Sequence, residues 1–322
     1  MGLIVPGTAF ATPRVDLADA YMEWNPNNVQ YMFPKVFPDA QSDVATGEIA
    51  METLDSLLTD DNIDREAGGT FNQVDIELAK ISIAIRGKGL EIPFHYNDGR
   101  NLTYNFELGA ARRLRQKVDT HFERAASTIL FNAGLPTTSA TAAWSASGGK
   151  PLTDIGSAKN TFFERTGLYP NALIMNGVQR DTLVTNAEMT GRFPGMTRLG
   201  YDDVVNSLGA LFGIPNVIVS TAVYNSAAKG LTPVLASAVP NTHVALALIA
   251  PMGAPIETTC VGRNLIYTDP DEGLLDVLFE QYYWAKTHSE IYRVRCMKEI
   301  NALKKTTDTY SPLIQRVATG LT

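Results

Sequence analysis

The sequence has few cysteines, no long apolar run and no excess of positive charge. Its two cysteines among 322 residues, Cys260 and Cys296, are far apart and in no C-x-x-C spacing, which argues against a disulfide framework and favours a reducing compartment. The longest apolar stretch, near residues 244–252, is too short to cross a bilayer, so no membrane association is expected. With 27 basic and 34 acidic residues the net charge is −7, which argues against a protein whose main task is to grip nucleic acid.

Catalytic signatures are missing as well. The sequence contains no phosphate-binding loop, no dinucleotide-binding glycine motif, no H-E-x-x-H and no G-x-S-x-G, and its four histidines are scattered without ligand spacing. The alternating oxygens of residues 60–66 are similar to the first half of a calcium loop, but Arg65 and Phe71 stand where that loop needs Gly and Glu. We therefore expect no catalysis, no cofactor and no metal site. A soluble enzyme with its site in the middle of the chain stays an alternative, although His243 and the acidic residues there show no recognisable spacing.

The residues that are present begin with an arm rich in proline and aromatic side chains. Prolines interrupt residues 1–42 except for a short helix predicted at 15–23. Trp24, Tyr31 and Phe33 lie in this arm, which cannot build its own core. We expect these aromatic side chains to pack either on the same chain or on a neighbouring one.

Strand-like alternation follows an acidic stretch. Residues 74–85 alternate with a change of phase that predicts a bulge near Lys80, and a further strand is predicted at 90–94. The pattern predicts a long β ribbon. Its isoleucines, Ile81, Ile83 and Ile85, need a covering surface, and a neighbouring copy is the natural one.

The longest helical pattern runs from about residue 102 to 132 and predicts a rigid strut about 45 Å long. Small polar residues predict a flexible connector at 137–150. Helices and short strands then alternate from 154 to 250, as in a compact α/β domain, with helices predicted at 154–166, ending at Gly167, and at 201–212, ending at Gly213. A β-hairpin with one apolar and one basic face is predicted at 275–296. The fold class is therefore α+β.

This order of elements resembles the major capsid proteins of tailed bacteriophages, whose fold is shared with encapsulins and the herpesvirus capsid floor. Particular segments are also similar to one phage capsid group: NIDREAGGT at 62–70, YPNALIMN at 169–176, LFGI at 211–214, VIV at 217–219 and AVYN at 222–225. The similarity covers nearly the whole chain in the expected order.

The resemblance implies a tailed-phage major capsid fold in five parts. These are an N-terminal arm at 1–42, an extended β-ribbon loop at 43–94, a peripheral domain with a long spine helix at 95–164, an axial α/β domain at 165–271, and a peripheral return hairpin with C-terminal tail at 272–322. It implies a structural subunit without catalysis, which forms hexamers and pentamers in an icosahedral shell around double-stranded DNA.

The resemblance also implies partners and a location. Expected partners are further copies of the chain, scaffold, portal and decoration proteins, and packaged DNA that is contacted non-specifically. The expected location is the virion, after assembly in the cytoplasm of a bacterial host. An encapsulin-like shell around cargo enzymes stays the alternative, since the residues alone do not separate the two.

Opposite charges on two exposed elements predict a contact between subunits. The acidic approach to the ribbon is expected to pair with the basic first half of the long helix of an adjacent subunit. The acidic side consists of Asp60, Asp61, Asp64 and Glu66, and the basic side of Arg112, Arg113, Arg115 and Lys117. The arm residues Trp24, Tyr31 and Phe33 are the aromatic candidates for the same kind of contact.

Overall fold

Helices and strands of the computed structural model follow the apolar periods of the sequence. The structure describes residues 12–23, 29–52, 58–60, 63–64, 71, 73, 78–95, 105–195, 198, 200–268, 277–285, 287–304 and 311–321. The helices are α1 (Val15–Glu23), α2 (Phe33–Val36), α3 (Phe106–Leu130), α4 (Pro151–Thr166), α5 (Gly177–Thr185), α6 (Ala187–Arg192) and α7 (Tyr201–Phe212). The strands are β1 (Thr12–Pro13), β2 (Asp39–Ser42), β3 (Thr46–Glu52), β4 (Leu78–Ala84), β5 (Gly87–His95), β6 (Thr137–Thr138), β7 (Ala172–Asn176), β8 (Asn216–Ser220), β9 (Val223–Asn225), β10 (Leu235–Ser237), β11 (His243–Ala247), β12 (Gly262–Tyr267), β13 (Leu278–Trp284), β14 (Ser289–Ala302) and β15 (Ile314–Ala318).

The long helix α3 forms where its apolar period predicts it. Its start is fixed by Asn105, whose side chain accepts the backbone N–H of Leu108 at 3.1 Å. Residues 102–104 of the predicted helix lie outside the described residues, and the helix ends at Leu130, two residues before the predicted end. Its 25 residues give a length of about 37 Å. We call α3 the spine helix.

The ends of α4 and α7 are set by glycine. Gly167 and Gly213 follow the two helices with φ values of 69° and 61°, a left-handed conformation that closes a helix without a Cβ clash. Both stops were predicted at these glycines.

A six-stranded sheet holds the C-terminal hairpin. Its order is β1-β13-β14-β12-β2, with β5 pairing to β14. The predicted hairpin is confirmed: β13 and β14 pair antiparallel from Leu278↔Arg295 to Trp284↔Ser289. Its apolar face, which includes Tyr292 and Val294, is buried.

The described part of the extended ribbon does not include β5, and its isoleucines are covered by its own chain. Strand β5 pairs with β14 and therefore belongs to the six-stranded sheet, while β3 and β4 form the ribbon. The β3–β4 register is unbroken past Lys80, so the predicted bulge there is wrong. Ile81, Ile83 and Ile85 are at most 5% exposed, so the expectation that a neighbouring subunit must cover them is also wrong. Residues of this chain cover them: Ala250, Cys260, Leu265 and Leu303.

A five-stranded sheet lies in the middle part of the chain, in the order β6-β15-β11-β7-β8. The C-terminal strand β15 pairs with β11 and so joins this sheet, although the sequence placed residues 314–318 with the return hairpin.

The predicted flexible connector at residues 137–150 is ordered instead. Trp144 is 1% exposed, and its indole N–H donates to the buried carboxylate of Asp154 at 2.9 Å.

Three large cores follow from this arrangement. One lies between the spine helix, α2 and the five-stranded sheet, and it contains Val36, Phe37, Phe122 and Ile218. A second lies between α4, α7 and the five-stranded sheet. The third packs α1 and the N-terminal half of the spine helix on the β13–β14 hairpin.

Candidate assembly surfaces

Acidic and basic side chains lie on different faces of the spine helix. Its carboxylates Asp119 and Glu123 are buried against the chain's own core, and Glu107 accepts a hydrogen bond from Arg14 at 3.1 Å. Three of the four predicted basic residues point the other way and are exposed: Arg112, Arg113 and Lys117. Because residues one turn apart share a helix face, this arrangement leaves a surface with exposed cations. We call Arg112, Arg113 and Lys117 the basic face.

Arg115 does not belong to the basic face. Its Nε pairs with Asp119, and its Nη1 donates to the backbone carbonyls of Tyr21 and Met22 at 3.2 and 3.3 Å. The guanidinium also lies 5.2 Å from the centre of the Tyr21 ring. Arg115 therefore fastens α1 to the spine helix within one subunit. Its position two residues from Arg113, about 200° around the helix, explains the opposite role.

Burial raises the pKa of both buried carboxyl groups of the spine helix. Burial raises the pKa of Asp119, and the neighbouring Arg115 opposes that shift. Burial also raises the pKa of Glu123, although hydrogen bonds from Ser220, Met32 and Phe33 act in the other direction. These groups are thus held inside the subunit and take no part in the exposed charge pattern.

The predicted acidic side is described only in part. Asp60 and Asp64 are exposed, whereas Asp61 and Glu66 lie outside the described residues. Beside them, Leu58 is half exposed and its Cδ1 sits where a Cβ on Gly167 would clash, at 2.6 Å. This contact places Leu58, two residues before Asp60, close to the end of α4. Among the described residues, no group of three His, Cys, Asp or Glu side chains could hold a metal ion.

The arm aromatics pack on their own chain as far as they are described. Phe33 stacks on Phe122 of the spine helix with 5.7 Å between ring centres, and Tyr31 meets Phe33 edge-on at 6.1 Å. Trp24 lies outside the described residues. The fully buried Met32 beside them had not been singled out from the sequence, nor had Glu123, which binds the arm. The one sequence signal for Glu123 is its position as a charged residue within the apolar stripe of the predicted helix.

Large apolar side chains remain on the surface elsewhere. The β9–β10 hairpin exposes Val223, Leu231, Val234 and Leu235, the last at 74%. Val223 and Leu235 share its outer face, because Val223 pairs with Ser237 and Leu235 with Asn225. Exposed apolar groups on one small element are typical of interaction surfaces. Within the described residues, no helix is both long and apolar enough to span a membrane.

No family model and no curated protein sequence matches the chain, so its similarity to known proteins is one of structure. A phage-related protein from Bordetella bronchiseptica RB50 superposes with a TM-score of 0.66 at 17% identity, over 96% of this chain and 98% of that one. The capsid structure of the cyanophage P-SCSP1u gives a TM-score of 0.56 at 13% identity, over 92% of this chain and 90% of that one. The chain has the phage major capsid fold.

A virus-like particle also has a similar fold. A virus-like particle from Pyrococcus furiosus superposes on this chain with a TM-score of 0.54 at 13% identity, over 94% of this chain and 97% of that one. The predicted α+β capsid fold is thus confirmed. The five domain bounds stay predictions, as does the role of each candidate contact residue.

Proposed function

We propose that this chain is a structural capsid subunit that assembles with copies of itself into a closed shell. The observation that carries the proposal is the likeness to phage capsid structures in the phage major capsid fold, which extends over more than nine-tenths of the chain. Exposed aliphatic side chains on the β9–β10 hairpin and exposed cations on the spine helix support it, because such groups are available to neighbouring copies.

In its finer form, the proposal is a major capsid protein of a tailed phage. Hexamers and pentamers of the chain would form an icosahedral head around double-stranded DNA, with scaffold, portal and decoration proteins as further partners. The subunit would be made in the bacterial cytoplasm, carry no catalytic activity and end in the virion. The net charge of −7 supports this form, since a mainly acidic container lets a packaged polyanion slide.

A second candidate is an encapsulin-like compartment that encloses cargo enzymes. The likeness to the virus-like particle from Pyrococcus furiosus favours it, since that particle shares the fold and the length of this chain. Both candidates have the same subunit fold and differ in what the shell encloses.

For the contact between subunits, we propose that the basic face pairs with the acidic segment of an adjacent copy. Arg112, Arg113 and Lys117 supply the cations, and Asp60, Asp61, Asp64 and Glu66 the anions. Arg115 drops out, because its guanidinium is used inside its own subunit. An exposed pair contributes little alone, but a closed shell repeats it at every equivalent interface.

Electron microscopy and sedimentation of the purified full chain test the proposal. Closed shells of uniform size are expected at high protein concentration. A lone monomer at every concentration would contradict shell formation. Particles from the native host separate the two candidates: nuclease-protected DNA supports the phage head, whereas a co-purifying enzyme inside the shell supports the compartment.

A further inference from the structure

Glu123 caps a helix to which it does not belong. Helix α2 begins after Met32, which offers no side-chain cap, and Pro34 has no N–H to donate. The first free N–H groups, those of Met32 and Phe33, both donate to Oε2 of Glu123 on the spine helix, at 2.9 and 3.0 Å. The arm is therefore held to the spine helix by a side chain 90 residues away.

The other carboxyl oxygen reaches the five-stranded sheet. Oε1 of Glu123 is hydrogen-bonded to Oγ of Ser220, the last residue of β8, and lies 3.1 Å from the N–H of Met32. The N–H of Ala222 donates to the same Ser220 oxygen at 3.4 Å. One carboxyl group thus joins the arm, the spine helix and the sheet.

This carboxyl group is buried without a counter-ion among the described residues. Glu123 is 0% exposed, and none of the described salt bridges includes it. Asp119, one turn earlier on the spine helix, adds a like charge. Among the described residues 29–37 of the arm, the titratable groups are the phenol of Tyr31 and the exposed Lys35. Lys88 and Lys298 of the six-stranded sheet lie over the ring of Phe122, at 5.6 and 5.9 Å from its centre. Two further cations of the spine helix have other partners: Arg115 is paired with Asp119, and Arg124 lies 4.3 Å from the Tyr224 ring centre.

The neutral acid keeps the same contacts at this junction when the hydrogen bond between Glu123 and Ser220 is reversed. Oε2 accepts the two backbone N–H groups in either form. The Ser220 hydroxyl donates to Oε1 of the carboxylate, whereas in the neutral acid a proton on Oε1 is donated to Oγ of Ser220, which also accepts the N–H of Ala222. The charged form keeps the same contacts but places an uncompensated anion in the core, which is costly. We propose that docking of the arm takes up one proton at Glu123 and that undocking returns this proton to the solvent.

The sign of the pH dependence follows from burial. Burial raises the pKa of Glu123 when the arm is docked, and undocking exposes this carboxyl on the spine helix and returns its pKa to the ordinary value. Docking is therefore favoured fully below the undocked pKa, and this contribution is lost as the pH rises through the docked pKa. The equilibrium constant for docking changes by at most about tenfold per pH unit for one proton.

The substitution Glu123→Gln separates this mechanism from a merely structural role. Its amide oxygen accepts both N–H groups and its NH₂ donates to Ser220, so it copies the neutral acid. We expect protease cleavage within residues 29–37, normalised to a denatured substrate, to rise with pH in the wild type by up to about tenfold per unit. In Glu123→Gln the cleavage rate should stay low and independent of pH.

A matched control and a spectroscopic measurement complete the test. Glu188 also accepts a backbone N–H, that of Leu152 at 2.8 Å, but it lies far from the arm in sequence and contacts α4. Glu188→Gln should therefore keep the wild-type pH profile. At mildly acidic pH the wild type should show the infrared band of a buried neutral carboxylic acid, which Glu123→Gln removes and Ser220→Ala shifts. A pH slope that survives in Glu123→Gln, or a wild type without this band, overturns the proposal whether or not shells form.

Discussion

Reversing two charges on the basic face is the most direct test of the contact proposed between subunits. Arg112 and Arg113 are both exposed, so the double substitution to Glu should leave the fold of the subunit intact. In the assembled shell it would replace two attractions to the acidic segment by two repulsions. The expected result is weaker assembly with an unchanged subunit.

The size of the effect follows from exposure. An exposed ion pair contributes about 0.2–1 kcal/mol, and a like-charged pair costs a similar amount. Two reversed pairs therefore change one contact by about 1–4 kcal/mol, which is between about fivefold and about 700-fold in its association constant. Since the Debye length falls to about 3 Å at 1 M salt, the difference should nearly disappear there.

Light scattering and sedimentation give the threshold concentration for assembly at low and high salt. Lys150→Glu with Lys229→Glu is the matched control, because both lysines are exposed and the change in net charge is the same. Converting Asp60 and Asp64 to Arg in the reversed background should restore part of the assembly. If the reversed variant and the control assemble alike at both salt concentrations, the basic face does not make this contact.

Two further substitutions test the packing inside the subunit. Asp154→Ala removes the acceptor of the Trp144 indole N–H and of the Thr141 N–H and hydroxyl, at 2.9, 3.0 and 2.6 Å. The unpaired buried indole N–H should lower the free energy of unfolding in urea by about 1–3 kcal/mol and speed hydrogen exchange at 141–149. The exposed Asp181→Ala should stay within about 0.5 kcal/mol, and equal effects of the two would contradict the assignment. Ile83→Ala, at a side chain 3% exposed, should cost the unassembled chain about 2–5 kcal/mol, whereas the 56% exposed Leu78→Ala should cost little. A large Ile83 effect confined to assembled shells would instead favour cover by a neighbour.

Local signals predicted the helices well. The predicted bounds of α1 and α7 coincide with the structure, because each helix carries its own apolar period and α7 its own stop at Gly213. The C-terminal hairpin was predicted for the same reason, since alternation along β13 and β14 is readable within each strand.

Contacts between residues far apart in the sequence could not be predicted in the same way. Strand β5 looked like ribbon because alternation reveals a strand but not its partner, and its partner β14 is some 200 residues away. Residues 137–150 looked flexible from their small polar composition, yet Trp144 anchors them through Asp154 on another element. Small polar composition predicts that a segment alone would be flexible. Here the burial of one large side chain, Trp144, holds the segment in place.

The candidate contact shows the same limit at the level of single charges. Arg113 and Arg115 are equivalent in the sequence pattern, but only the helix phase relative to α1 decides which one is exposed. Because α1 covers Arg115, and α2 covers Phe122 and Glu123, the docked arm defines which part of the spine helix stays free. The basic face lies outside the area that α1 and α2 cover. If docking responds to protonation of Glu123, the lateral surface of the spine helix open to a neighbouring copy should change with pH, while the outward cations Arg112 and Arg113 keep their charge.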